Sequence, residues 1–187
     1  MSRGALIDVP KLLSDPMARS ARQAELYEPH IAPLTEFVEK LRTEVGPHGS
    51  IPNFDPWDGG IDAEILLLLE APGAKALFSG FILRNNPDET AKNFFELNRD
   101  AEIPRKQTVT WNIVPWYTGS GARIRAATKT ETNAGIHTLT RVLELLFKLR
   151  AASTHWPQGG TSVQVTGAAA AGRESFHVAT SKSSIHK

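Results

Sequence analysis

The feature that most constrains the fold is a short apolar run, Ala63–Leu69, which reads Ala-Glu-Ile-Leu-Leu-Leu-Leu and is bounded by turn residues. Such a run is typical of a parallel strand that is covered on both faces. Thr108–Val114 is a second strand candidate. Between them, residues 86–89 (Asn-Pro-Asp-Glu) offer an N-cap at Asn86, a proline at the first helical position and acids in the first turn. The two strands and this helix predict a βαβ unit with a right-handed crossover.

Helical periodicity extends over Leu12–Val45 and again over Thr132–Arg150. Pro29 and Pro33 divide the first of these segments into two helices. Ser162–Thr166 is a weaker strand candidate. Together with the βαβ unit, these elements predict an α/β fold, a three-layer α/β/α sandwich with a short central, mainly parallel sheet.

The chain is long enough for one domain and too short for two ordinary ones. It has 187 residues, of which 41% are apolar, whereas a typical domain has about 100 to 150 residues. We therefore expect a single domain over residues 1–187, with N-terminal helices in residues 1–50. Strand and helix patterning fades after about Arg150, so residues 151–187 are predicted to be an atypical C-terminal segment, either disordered or altered.

Composition excludes several classes of chemistry. The chain has no cysteine, which removes disulfides, thiolate zinc sites, iron-sulfur clusters and cysteine nucleophiles. The six histidines contain no close ligand pair, so we expect neither a metal nor another cofactor. Residues 1–11 lack a basic region followed by an apolar stretch, so we expect no leader peptide. No apolar run has the length of a membrane span, and we expect a cytoplasmic monomer without a membrane segment. The net charge of +1 means that any contact with nucleic acid must come from a local cluster of charges.

Polar residues follow or interrupt both candidate strands near their carboxyl ends. Glu70 comes directly after the apolar run, and Asn112 interrupts the second strand. Ligands of open parallel sheets bind at this edge, where the loops after neighbouring strands converge. An amide offers the donor and the acceptors that reading a pyrimidine edge requires. Each residue also has a plainer interpretation, Glu70 as an exposed carboxylate near a helix N-terminus and Asn112 as a buried amide satisfied within the protein.

Three short motifs occur in an order that is known from one family. Residues 70–73 read Glu-Ala-Pro-Gly, Phe81 follows Ser-Gly with Phe78 as a second aromatic candidate, and residues 111–115 read Trp-Asn-Ile-Val-Pro. This order resembles the uracil-DNA glycosylase superfamily in its Glu-Ala-Pro-Gly version. The resemblance covers residues 55–147, which is about half of the chain.

The resemblance implies a hydrolase of base-excision repair that excises uracil by breaking the N-glycosidic bond, with uracil-containing or abasic DNA as its partner. Glu70 would be the catalytic carboxylate, Phe81 would stack on the extruded base unless it simply packs in the interior, and Asn112 would read the edge of the base. Substrate contacts are expected from Ala71, Pro72, Gly73, Phe81 and Asn112. DNA phosphates are expected at Arg123, Arg125 and Lys129, although a solvated charged loop explains these residues equally well.

The chain also departs from the family that it resembles. Relatives with the Glu-Ala-Pro-Gly motif often carry an iron-sulfur cluster, so this chain, without cysteine, resembles a cluster-free branch. Relatives end a late strand in His-Pro-Ser, which the comparable residues 177–184 lack, and several place their catalytic Asp or Asn where this chain has Ala71. The alternative function is therefore a catalytically weak or inactive protein that binds uracil or abasic DNA with the same fold.

A third interpretation is an unrelated α/β hydrolase or nucleotide-binding domain. The sequence argues against it, because it contains no Gly-x-Ser-x-Gly elbow, no phosphate loop that ends in Gly-Lys-Ser/Thr and no Gly-x-Gly-x-x-Gly fingerprint.

Overall fold

A computed structural model describes residues 6–46, 50–82, 84–121, 123–155, 161–170 and 173–182. The helices are α1 (Pro16–Ala24), α2 (Ala32–Val45), α3 (Ala74–Ser79), α4 (Glu89–Asp100) and α5 (Lys129–Leu145). The strands are β1 (Ile65–Leu69), β2 (Thr108–Asn112), β3 (Ala151–His155), β4 (Thr161–Ala170) and β5 (Arg173–Lys182). In these ranges, no helix combines the length and the apolar character that crossing a bilayer requires.

Strand β1 lies in the middle of a three-stranded, all-parallel sheet with the order β2-β1-β3. The register places Leu69, the last residue of β1, opposite Asn112 on one side and His155 on the other. The chain is therefore an α/β protein, and the two strands of the predicted βαβ unit are parallel neighbours, as the sequence predicts. Strands β4 and β5 pair as an antiparallel hairpin, and the weaker strand candidate Ser162–Thr166 falls within β4.

Helices cover both faces of the sheet, which gives the three predicted layers. On one face, Leu68 of β1 and Trp111 of β2 are fully buried in a core that α2 and α5 complete. Phe54, from the loop before β1, stacks on Trp111 with ring centroids 4.4 Å apart. On the other face, α4 covers Leu67 and Leu69 only in part and leaves a cleft of about 420 Å³. The main core therefore lies on the side of α2 and α5.

The start of α4 differs from the prediction. Its N-cap is Asp88, whose side chain accepts a hydrogen bond from the backbone N–H of Ala91 at 2.8 Å, and the helix begins at Glu89. Asn86 is not the cap, because its amide is already bonded to the Ser79 hydroxyl and to the carbonyl of Phe81. An aspartate is as good a cap as an asparagine, so tertiary contacts of Asn86 decide between two locally equivalent starts.

The last long helix also begins and ends earlier than its apolar pattern predicts. Thr128 and Glu131 form a reciprocal capping box, which starts α5 at Lys129 rather than near Thr132. The helix ends at Leu145, so Phe147 lies beyond it and is exposed rather than packed on the apolar side. The polar capping box therefore determines where this helix starts, because the first turn has no apolar residues from which the periodicity could predict it.

Part of the predicted atypical C-terminal segment belongs to the sheet. Residues 151–155 form β3, which pairs with β1 along its whole length. Residues 161–170 and 173–182 form the hairpin of β4 and β5. Residues 156–160, 171–172 and 183–187 of the same segment, like residues 1–5 at the other end, lie outside the described residues.

Gly135 allows α5 to approach the end of β2 closely. A Cβ added at Gly135 would lie 1.8 Å from the carbonyl oxygen of Ile113, so the backbone would have to move. We expect Gly135→Ala to lower the free energy of unfolding by about 2 kcal/mol, as overpacking does, although alanine is the better helix former. Urea unfolding measures the change.

Gly73→Ala is the matched control for this substitution. Its Cβ would meet only Ile124 Cδ1, at an ordinary contact distance of 3.8 Å, and the loss should stay below about 1 kcal/mol. Equal losses in the two variants would contradict the close approach of α5 to β2.

Candidate functional site

The backbone pairing of β1 and β2 continues past their last residues. The backbone N–H of Ile113 donates to the carbonyl of Leu69 at 2.8 Å, and that of Val114 donates to the carbonyl of Glu70 at 2.9 Å. Glu70 and Asn112, the two polar residues predicted to share a site, are therefore neighbours at the carboxyl edge of the sheet.

The carboxylate of Glu70 is directed toward the start of α5. The side chain is half-buried, and its Oε1 accepts a hydrogen bond from the backbone N–H of Ala127 at 2.8 Å, just before the N-cap of that helix. This placement fits the plainer interpretation, a carboxylate near a helix N-terminus. Its Oε2 receives no hydrogen bond from any described residue, so Glu70 anchors the loop of residues 117–128 through one oxygen only.

Asn112 is a buried amide without a partner. Its side chain is 1% exposed, and neither its nitrogen nor its oxygen forms a hydrogen bond with a described residue. The hydroxyl of Thr110, two residues earlier on the same face of β2, is likewise buried and unpaired. A buried polar group without a partner costs about 1–3 kcal/mol. The alternative interpretation, an amide that the protein itself satisfies, therefore does not hold in the described part of the chain.

The side chains of Glu70 and Asn112 leave the sheet edge on different sides. Asn112 shares its face of β2 with Thr108, whose hydroxyl accepts from Arg84, and the Arg84 guanidinium lies over the ring of Phe94 in α4. Asn112 is therefore on the α4 side, whereas Glu70 is directed toward the start of α5. Glu70 and Asn112 are therefore neighbours along the backbone, but the carboxylate of Glu70 and the amide of Asn112 do not face the same point.

The turn between β1 and α3 contains the predicted substrate contacts Ala71, Pro72 and Gly73. Pro72 is buried, Ala71 and Gly73 are half-buried, and α3 begins directly after Gly73. Exposed Ile124, from the loop of residues 117–128, lies next to Gly73. The turn and this loop therefore form one continuous rim beside the ends of β1 and β2.

The two candidate stacking aromatics have opposite environments. Phe81 is fully buried in a small cluster with Leu13 and Leu26, so its ring has no open face in this conformation. Ordinary packing, the alternative considered for Phe81, describes this placement. Phe78, on the outer side of α3, is 56% exposed. Sequence alone could not distinguish them, because both lie in a short segment without sustained periodicity.

The predicted phosphate-binding residues are exposed, but they are not equivalent. Arg125 forms a two-pronged ion pair with Glu131, with N–O distances of 2.6 and 2.7 Å. The hydrogen bond from Arg125, helped by the backbone N–H of Thr128, lowers the pKa of Glu131 to about 2. Arg123 and Lys129 form no ion pair within the described residues. They are therefore the better candidates for contact with an anion.

The sequence matches no protein-family model and no curated protein. The motif order around Glu70, Phe81 and Asn112 therefore stays a resemblance. In the described part of the chain, no three His, Asp or Glu side chains lie close enough together to hold a metal ion.

A buried ion cluster at the opposite, amino edge of the sheet was not predicted. The guanidinium of Arg105 donates to Asp8, Asp55 and Asp58 at 2.7–2.9 Å, and Arg22 also pairs with Asp55. Burial favours the neutral form of Asp55, but Arg105 and Arg22 outweigh it and lower the pKa of this carboxyl. The members come from distant parts of the sequence, so no local pattern could have indicated them. The cluster holds the chain before β1 and β2, far from Asn112.

Asn112→Leu tests whether the amide serves the fold. Because the amide has no partner to lose, we expect the variant to keep the free energy of unfolding or to raise it by about 1 kcal/mol. Thermal or urea unfolding measures this. The matched control is Asn86→Leu, which removes an equally buried amide with two partners and should cost about 2 kcal/mol. A comparable loss for Asn112→Leu would mean that the amide holds the fold.

Proposed function

We propose that this chain is a DNA glycosylase that excises uracil from DNA, related to the superfamily that its motifs resemble. The observation that carries the proposal is the buried and unpaired amide of Asn112 at the carboxyl edge of a parallel sheet. Binding sites of open parallel sheets lie at this edge. A buried polar group that lowers the free energy of unfolding and forms no hydrogen bond within the protein is expected where a ligand supplies its partner.

The amide of Asn112 matches the chemistry of a uracil edge. Uracil presents an N–H donor between two carbonyl acceptors, so the amide oxygen can accept from the ring N–H while the amide nitrogen donates to a neighbouring carbonyl. Both bonds would form away from water, where they discriminate strongly against a base that lacks the matching groups. Extrusion of the base from the stack costs a few kcal/mol, which such a pocket has to offset.

Excision then requires stabilisation of charge as the bond between the sugar and the base breaks. The base leaves with the bonding electron pair and takes up a proton from solvent, while the sugar carbon becomes electron-poor and takes up the oxygen of water. The proton that the base gains is balanced by the one that the water loses. A carboxylate can stabilise the positive sugar and accept that proton. Glu70 is our candidate, because it is the carboxylate nearest along the backbone to Asn112 and Oε2 has no partner among the described residues.

The rim of the site supports DNA as the partner. Arg123 and Lys129 lie on the loop and helix start beside the Pro72–Gly73 turn and lack ion pairs within the described residues. Lys129 is the first residue of α5, where the positive end of the helix dipole disfavours a cation. A phosphate group at this position would relieve that repulsion.

A second candidate function is binding of uracil or abasic DNA without efficient hydrolysis. It is favoured by the direction of the Glu70 carboxylate, which points to the start of α5 rather than to the side of Asn112. It is also favoured by Ala71, which places no polar group where several members of the superfamily have one. In this case the amide of Asn112 would recognise the base and the chemistry would be slow.

Uracil excision from a labelled oligonucleotide, single- and double-stranded, separates the two functions. We expect excision by the unaltered protein and a loss of about 100-fold or more in Glu70→Gln, the scale of general acid–base catalysis. The glutamine oxygen can still accept from Ala127, so the loop stays anchored. Asn112→Leu should lose both binding and excision, because it removes the groups that pair with the base.

Glu64→Gln is the matched control for Glu70→Gln. Glu64 stands just before β1, at the other edge of the sheet, and pairs with Arg150, so its loss should leave excision unchanged within about twofold. Binding by the unaltered protein without product would establish the second candidate. Absence of both binding and excision would contradict the proposed function, whereas full excision by Glu70→Gln would contradict the catalytic role of Glu70 alone.

A further inference from the structure

We infer that Phe78, with Arg19 and Lys75, forms a stacking platform for an unpaired nucleotide next to the damaged one, apart from the amide of Asn112. The inference rests on the proposed function, because it assumes that a DNA strand reaches this rim. It assigns a single-stranded segment of DNA as the partner of the surface that these three residues form.

The ring of Phe78 is exposed because of the way α3 packs. Ala76 and Ser79 of this six-residue helix face the interior, which directs Lys75 and Phe78, three residues apart, to the outer side. At 56% exposure, Phe78 retains more than half of its accessible surface. An exposed aromatic side chain on an otherwise packed helix is a known form of binding surface for nucleic-acid bases, since every base has a face that can stack.

Two cations accompany the ring. The guanidinium carbon of Arg19 lies 4.5 Å from its centroid, and the Lys75 nitrogen lies 5.8 Å from it. Arg19 is fixed in place, because it donates to the backbone carbonyls of Leu13 and Ser14 at 2.8 and 2.9 Å. The ring is therefore supported by a cation that is fixed in place, while its exposed part stays accessible to a base.

The charge of the rim indicates an anionic occupant. Arg19, Lys75, Arg123 and Lys129 form no ion pair within the described residues. Lys75 and Phe78 follow the Pro72–Gly73 turn, and Arg123 belongs to the loop on its other side. Unpaired cations on both sides of one turn, two of them next to an aromatic ring, fit a phosphate backbone with unstacked bases better than an apolar peptide or a second copy of this chain.

Binding of a 20-nucleotide oligo-dT strand, measured by fluorescence anisotropy, tests the platform without involving uracil. We expect Phe78→Leu to weaken binding about tenfold, which corresponds to the loss of one stacked base. Phe78→Trp should bind as tightly as the unaltered protein or more tightly. Lys75→Gln should weaken binding and reduce its dependence on salt by about one phosphate contact. Circular dichroism verifies that each variant is folded.

Phe147→Leu is the matched control, because Phe147 is 67% exposed and also lies beside a lysine, Lys148, but follows α5 at the opposite edge of the sheet. It should leave binding unchanged within twofold. Unaltered binding by Phe78→Leu, or equal losses in Phe78→Leu and Phe147→Leu, would overturn the inference. Excision assays on the same proteins keep the outcomes separate: binding of oligo-dT through Phe78 without uracil excision contradicts the glycosylase activity and not the platform.

Discussion

Parallel pairing of β1 with β2 is the constraint on which the site depends. The register sets Leu69 opposite Asn112, and two further backbone hydrogen bonds continue the pairing past the ends of both strands. This pairing places the Pro72–Gly73 turn and the end of β2 at one edge. Gly135 keeps α5 in contact with the same edge, since no side chain separates it from the carbonyl of Ile113. Asn112 therefore lies at the junction of the strand ends, where its amide is enclosed.

The ion pairs at the amino edge and the unpaired amide at the carboxyl edge contribute differently to the stability of the fold. Arg105 donates to three carboxylates and to the amide oxygen of Asn85. Removing the carboxylates would leave a buried charge without its partners, a loss of about 3–5 kcal/mol. The amide of Asn112 contributes no such bond. The charges at the amino edge are held in ion pairs, although Nε and Nη2 of Arg22 are buried without a hydrogen-bond partner among the described residues. The amino edge therefore holds opposite charges together for structure, whereas in our proposal the carboxyl edge holds the Asn112 amide for a ligand.

Local pattern is enough to predict the elements that build this site, and contacts between distant residues decide the rest. Strand β1 and the strand that contains Asn112 can be predicted, because a strand that is buried on both faces is a nearly continuous run of apolar residues. The start of α4 cannot be predicted in this way, because Asn86 and Asp88 are equally good N-caps. The contacts of Asn86 with Ser79 and Phe81 decide between them. The burial of Phe81 and the direction of Glu70 also depend on segments far along the chain, namely Leu13 and Ala127.

The central claim, that the amide of Asn112 pairs with a pyrimidine edge, is tested most directly by nuclear magnetic resonance of its side-chain NH₂ group, assigned with Asn112→Leu. An oligonucleotide with one uracil should shift this resonance, whereas the same strand with an abasic analogue in place of the uracil should not. The side-chain amide of Asn86, which has its partners within the protein, should stay unchanged in both cases. An Asn112 resonance that does not move when the protein is saturated with the uracil strand would contradict the account.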